Sequence, residues 1–337
     1  MVKVLFFLLS ILSLNAIAKE YKTYSAIELN SVKKFINKMV NKHSFDKKQL
    51  TTLFSDIKLP IYPKPKKTKK EKIKQKYKKK KPMSWDKYRS LFLTEYRIKK
   101  GLEFWEKYQN ELNKAEEIYG VPPEIIVAIL GIETNYGKRK GKHQVLWTLT
   151  NRAFNGFRRA KFYKKELEYF LLLVQKNQQN PLEPTGSYAG AIGYPQFISS
   201  SIHHYAVDFD KDGKIDLINN PIDSIGSIAN YFYKHRWQKG GEYVYKLNKK
   251  DHYYKLTNYA TKRPRYSSSY FKKQGVEVGF GIPQHTPIAL IALPQTTKDE
   301  FWLTFWNFYV LTRYNHNNKY AMAAVHLSQE LKKQWGN

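Results

Sequence analysis

The segment Val121-Pro-Pro-Glu-Ile-Ile-Val-Ala-Ile-Leu-Gly-Ile-Glu133-Thr-Asn-Tyr-Gly137 leaves few ways to fold. Pro122, Pro123 and Glu124 predict a helix N-terminus, where a missing N–H forfeits no bond and a carboxylate meets the positive pole. Gly137 predicts the stop. Between them Ile125, Ile126, Val127, Ile129, Leu130 and Ile132 occupy most of the circumference, so the helix is expected to be buried.

Glu133 sits near the negative pole of that helix. The dipole and the loss of water both disfavour a charged carboxylate there, and both raise its pKa. A carboxylic acid held protonated near neutral pH suits glycosidic-bond cleavage, because the leaving oxygen must receive a proton. Taken locally, the same residue also fits a Glu that reaches solvent or pairs with Lys138 or Arg139.

The flanking sequence sets the organisation. Residues 1–18 read as an export signal: Lys3, an apolar run from Val4 to Leu14, and Ala16-Ile17-Ala18 as a cleavage site before Lys19. The run is short for a bilayer span, and the absence of Cys excludes disulfides and a lipid-bearing thiol. A soluble periplasmic monomer is the expectation. Residues 19–118 form an N-terminal helical region, with helix-spaced apolar residues from Ile27 to Leu59 and again from Trp85 to Tyr119. A Lys/Pro-rich excursion at 62–82 interrupts it, with 12 Lys between Lys64 and Lys81. Residues 119–239 make the core, 240–300 a small β-rich insertion with runs at Tyr243–Tyr245 and Ile288–Ala292, and 301–337 a return to the core.

A net charge of +31 raises nucleic acid as a partner. The export signal argues against it, and points instead to anionic groups of the cell envelope. The Lys run itself reads as a solvated segment that repels itself, compatible with weak attraction to the wall.

Asp208-Phe-Asp210-Lys-Asp212-Gly213-Lys214-Ile-Asp216 matches the start of an EF-hand loop. Carboxylates at alternate positions wrap a cation, Gly213 permits the sharp turn, and Lys214 offers its backbone carbonyl. Asn219 stands at the twelfth position, where a Glu is usual. A solvated Asp-rich turn is the alternative. A bound Ca2+ is expected to be structural, and no organic cofactor is expected. His203, His204 and His316 have no metal-ligand companions in the sequence.

The chain resembles the membrane-bound lytic transglycosylase B family (glycoside hydrolase family 103). The match runs through YGVPPEIIVAILGIETNYG (119–137), FRRAKFY (157–163), GSYAGAIGYPQF (186–197), YAVDFDKDGKIDL (205–217), NYFYKHRW (230–237) and RYNHNNKYAMA (313–323). FINKMVNKHSFDKKQL (35–50) is also family-like. The resemblance implies a mainly α fold with a small β part: a lysozyme-like α+β catalytic core holding the EF-hand-like loop (208–223), a second helical region and the β-rich insertion. It implies that Glu133 protonates the oxygen between MurNAc and GlcNAc in peptidoglycan glycan strands, then acts as base while the MurNAc 6-hydroxyl attacks its own anomeric carbon. A 1,6-anhydro end results, and no second catalytic carboxylate is required.

The resemblance further implies substrate contacts from Ser187 and Gln196 in the Gly-rich motif, from the guanidinium forks of Arg158 and Arg159, from the rings of Tyr136, Tyr231, Tyr314 and Tyr320, and from Asn315. It adds Asp223 as the residue that closes the calcium set of Asp208, Asp210, Asp212 and Lys214. Pro195 departs from the family pattern, which has a small residue before Gln196. A hydrolytic muramidase and a non-catalytic, calcium-stabilised wall-binding protein are the alternatives to a transglycosylase.

Overall fold

The computed structural model describes residues 22–61, 82–248, 250–257, 263–279 and 281–336. The export segment 1–18 lies outside these residues, as does the Lys/Pro excursion 62–82 apart from Pro82. No helix among the described residues is long and apolar enough to cross a membrane.

At the N-terminus, β1 (Thr23–Ser25) leads into α1 (Asn30–His43), α2 (Lys47–Asp56) and β2 (Lys58–Pro60). Ser44 adopts the left-handed conformation that ends α1. The Asp46 carboxylate then starts α2 by accepting the Gln49 N–H at 2.6 Å. Strands β1 and β2 pair antiparallel, with Tyr24 opposite Leu59, and close the unit on itself. It docks through Glu168, buried on the core, whose carboxylate meets Lys38, Lys42 and His43 of α1.

The helical stretch after residue 84 is cut into three by its own caps. These are α3 (Trp85–Ser90), α4 (Glu95–Lys107), begun by the Thr94 side chain accepting the Arg97 N–H, and α5 (Gln109–Tyr119). The apolar segment forms α6 (Pro123–Thr134). The core continues with β3 (His143–Gln144), α7 (Val145–Phe154), α8 (Ala160–Lys176), β4 (Thr185–Gly186), α9 (Ser199–Tyr205) and α10 (Pro221–Lys234).

Next come β5 (Val244–Leu247), α11 (Tyr253–Leu256), β6 (Tyr266–Ser267), α12 (Ser268–Lys273), β7 (Pro287–Leu293) and β8 (Glu300–Thr304). The chain ends in α13 (Trp306–Tyr314) and α14 (Asn318–Trp335). Helix α6 packs against α4, α5, α10 and α14, so its isoleucines are enclosed on every side. Each such side chain contributes about 1.5–3 kcal/mol of burial, which fixes this helix as the centre of the fold.

The small sheet has the order β5-β8-β7-β6, antiparallel throughout, with Leu290 opposite Leu303. Its two faces bury against different cores. Ile288, Leu290 and Ala292 of β7, with Phe301 and Leu303 of β8, turn toward a satellite core around Tyr253 and Phe271. Ile291, Leu293 and Trp302 turn toward the main core. The period of two puts alternate residues on opposite faces, so the continuous apolar run Ile288–Leu293 is a strand covered on both sides. The expected insertion boundary at residue 300 falls on the first residue of β8, so the segment expected to return to the core begins within that strand and continues into α13.

Candidate active site

Glu133 is the penultimate residue of α6. Asn135 caps the helix in the left-handed conformation, and Tyr136 and Gly137 keep positive φ, so the chain turns sharply away. At Gly137 only glycine fits: φ is +89° and a Cβ would lie 2.1 Å from the Tyr194 ring. Thr134 Oγ1 secures the turn, donating to Tyr194 O at 3.1 Å and accepting the Gly137 N–H at 3.0 Å.

The Glu133 carboxyl accepts the Tyr320 hydroxyl at 2.6 Å on Oε1. Burial pushes its pKa up to about 7, against the pull of that phenol toward the charged form. Its surroundings are phenolic. Tyr88 on α3, Tyr314 at the end of α13 and Tyr320 on α14 are all raised by burial and, next, by the charge of Glu133. The rings of Tyr314 and Tyr320 are near-parallel at 6.4 Å.

Tyr320 is 2% exposed, so it offers Glu133 a hydroxyl rather than a sugar a ring face. The rings of Tyr136 and Tyr231, expected to contact substrate, are packed within the protein. The Tyr136 ring lies between α4 and α6, donates to Arg97 O at 3.0 Å and stacks on Phe104. Tyr231 is buried, stacks on His235 and donates to Arg313 O at 2.7 Å. Aromatic packing draws both rings inward. Tyr314 keeps partial exposure while donating to Pro195 O at 2.5 Å, so the departure at Pro195 is tied into the site.

In the Gly-rich motif, Ser187 Oγ accepts the Ala191 N–H at 3.0 Å, and Gln196, itself at positive φ, donates through Nε2 to Lys140 O and Gly193 O. Arg158 is exposed at the entry to α8, and Arg159 is half-buried with its guanidinium over Phe162. Asn315 is the half-buried C-cap of α13. Three residues here were not singled out from the sequence. Tyr88 is drawn to Glu133 by the fold alone. Arg152 donates to Tyr188 O and lies over the Phe157, Tyr163 and Tyr188 rings. Asn318 is buried with neither amide atom partnered among the described residues.

The acidic loop lies between α9 and α10. Carboxylate oxygens of Asp208, Asp210 and Asp212 fall within 4.8 Å of one another. They accept only amide donors, from Asp212 N, Gly213 N, Lys214 N and the Asn220 side chain, and no Lys or Arg pairs with them among the described residues. Asp223, expected to close the set, is not one of these three. It is fully buried, and its two oxygens accept the Phe209 and Asp216 N–H groups at 2.8 Å each, pinning the ends of the loop. The loop is wired to Glu133: Leu217 O accepts the Tyr194 N–H at 2.8 Å, and Tyr194 O accepts Thr134. Gly193 makes that approach feasible, since a Cβ there would lie 2.0 Å from Leu217 O.

Comparison with known proteins places this arrangement. Residues 28–329 match the family model of the transglycosylase SLT domain. The chain is 40% identical over 310 residues to membrane-bound lytic murein transglycosylase B of Escherichia coli, covering 89% of this chain and 82% of that protein. The soluble lytic transglycosylase SltB1 of Pseudomonas aeruginosa superposes with a TM-score of 0.81 at 35% identity, over 91% of this chain and 100% of that one. The Escherichia coli lytic transglycosylase Slt35 was solved in complex with bulgecin A and, separately, with calcium. The first gives a TM-score of 0.80 at 36% identity over 94% and 97% of the two chains, and the second gives 0.79. With the family model matched over residues 28–329 and a relative 40% identical over most of both chains, the chain belongs to the SLT-domain lytic transglycosylases, enzymes that cleave peptidoglycan.

Proposed function

We propose that Glu133 serves in turn as acid and base in cleavage of the β-1,4 bond between MurNAc and GlcNAc. The observation that carries this is a carboxyl held near neutral pKa by burial, with one phenol fixing its orientation. In the protonated form it delivers its proton to the glycosidic oxygen as the bond to the anomeric carbon breaks. The carboxylate left behind takes the proton of the MurNAc 6-hydroxyl as that oxygen bonds to the same carbon. Ordinary glycosidases place a second carboxylate within about 5–9.5 Å. Burial and the Tyr320 hydroxyl account for the Glu133 shift without a neighbouring acid.

On this reading the glycan crosses the C-terminal end of α6. Ser187, Gln196, Asn315 and the Tyr314 edge contact sugar, and Arg158 and Arg159 meet acetamido oxygens or stem-peptide carboxylates. Tyr136, Tyr231 and Tyr320 hold the wall from behind. Residues 1–18 direct export to the periplasm.

The acidic loop fits Ca2+ as a structural ion. Oxygens 2.3–2.6 Å from one centre lie at most about 5 Å apart, and the three Asp carboxylates meet that limit. Asp208, Asp210 and Asp212 would hold the ion with the Lys214 carbonyl, and Asp223, whose oxygens keep further lone pairs, would close the set. The ion would neutralise charge and hold Leu217 against Tyr194.

Digestion of sacculi in 18O-labelled water tests the reaction. A transglycosylase leaves anhydro ends free of label, whereas one 18O at each new reducing end would make the chain a hydrolase.

A further inference from the structure

Arg152 lies in the last turn of α7, where the negative helix pole favours any cation. Its surroundings ask for more than charge. No carboxylate pairs with it among the described residues. Its guanidinium carbon lies over the Phe157 ring at 5.4 Å, the Tyr163 ring at 5.2 Å and the Tyr188 ring at 5.3 Å. Nε donates to Tyr188 O at 2.9 Å, and Nη1 donates to the Tyr163 hydroxyl at 3.4 Å. A flat cation with N–H donors in its plane meets rings and a carbonyl as one rigid unit, which a lysine ammonium cannot do.

The three rings come from two separate stretches of chain. Phe157 and Tyr163 bracket Arg158 and Arg159 at the entry to α8. The chain comes back to Arg152 there because Asn155 caps α7 and Gly156, at φ +77°, turns it. Tyr188 belongs to the Gly-rich turn after β4. That turn closes on itself: the Ser187 N–H donates to Ala191 O at 2.8 Å, and the Gly190 N–H donates to Ser187 O at 2.9 Å. Ser187 Oγ accepts the Ala189 and Ala191 N–H groups at 3.3 and 3.0 Å, while its own O–H has no acceptor among the described residues. Helix α7 carries the turn from below, since a Cβ on Gly190 would lie 2.7 Å from Leu149. Tyr188 is 48% exposed, so Arg152 holds this part of the turn through its carbonyl.

We propose that Arg152 is a positioning residue for substrate. Its one guanidinium sets the turn that carries Ser187 and the segment that carries Arg158 and Arg159 at a fixed separation, so that both engage the same stretch of glycan and stem peptide. This rests on the substrate contacts proposed above for those three residues. Arg152 acts through them and leaves the chemistry alone, because the Glu133 shift comes from burial and Tyr320.

Steady-state release of anhydro ends from soluble, un-cross-linked glycan strands bearing stem peptides tests this with the full chain. Arg152→Ala should raise KM about tenfold and keep kcat within about twofold. Arg152→Lys, which keeps the charge and the apolar stem, should raise KM about threefold. It carries the test if the alanine variant fails to fold. Added to the triple variant Ser187→Ala/Arg158→Ala/Arg159→Ala, Arg152→Ala should change KM by less than about twofold, since the groups it positions are gone. A fall in Tm with KM unchanged makes Arg152 a packing residue and overturns the proposal. So does a loss confined to kcat, or the full KM effect persisting in the triple background. A triple variant with wild-type KM removes the contact reading itself, and the proposal with it, so the two failures are told apart.

Discussion

The Tyr320 hydroxyl donates to Glu133 Oε1 at 2.6 Å, joining the ends of two packed helices across 187 positions of sequence. The phenol favours the charged carboxylate, whereas burial favours the neutral acid and prevails. Tyr320→Phe therefore raises the Glu133 pKa. The alkaline limb of the kcat/KM profile should move up by about one unit, the scale of one hydrogen bond to a charged group. The loss of orientation should lower kcat by roughly tenfold. A limb that moves toward acid contradicts this.

Glu133 also costs stability. Its unfolded value is the ordinary 4.5 and its folded value is about 7, so the folded state holds a proton that the unfolded state has released between those limits. The cost is absent below pH 4.5, grows with pH, and is complete above about 7. Glu133→Gln removes it. The variant should exceed wild type by about 2–3 kcal/mol at pH 8 and match it at pH 4, read from urea unfolding at both values. Equal midpoints at pH 8 count against a buried acid.

Removing calcium should loosen the loop and, through Leu217, Tyr194 and Thr134, the turn after Glu133. An ion at 100 times its Kd adds about 3 kcal/mol. Chelation should thus lower Tm by several degrees and reduce activity, both restored by Ca2+, with Asp212→Asn insensitive to either. A Tm unchanged by chelator rules the ion out.

Glu168 carries the docking of α1. Burial alone would raise its carboxyl, but Lys38, His43 and Lys42 outweigh that and hold it at about 2. The stabilisation is complete above the ordinary value of 4.5 and is lost as pH falls toward 2. Glu168→Gln should cost about 1–3 kcal/mol at pH 7, discounted for two exposed lysines, and the gap to wild type should close on acidification. A gap independent of pH assigns the loss to packing instead.

Much of this was legible in sequence where the signal is local. The apolar circumference of α6, its proline start, and the alternate carboxylates from Asp208 to Asp212 each state their own structure. What escaped depends on distant partners. Tyr24 meets Leu59 only because two helices bring them together. Ile288–Leu293 shows no alternation because two different cores cover the faces of its strand. Tyr88, in a short helix cut off by the cap at Thr94, reaches Glu133 through tertiary packing alone. Asp223 enters the calcium set only through the resemblance, and its burial with two amide donors, which pins the ends of the loop, has no local signal in sequence.

The account stands on Glu133 as the acid that makes anhydro ends. Mass spectrometry of muropeptides from sacculi digested by wild type and by Glu133→Gln tests it most directly. Wild type should release 1,6-anhydro-MurNAc products, and the variant, folded and at least as stable, should release none above background. Anhydro ends from the variant, or reducing ends from wild type, would contradict it.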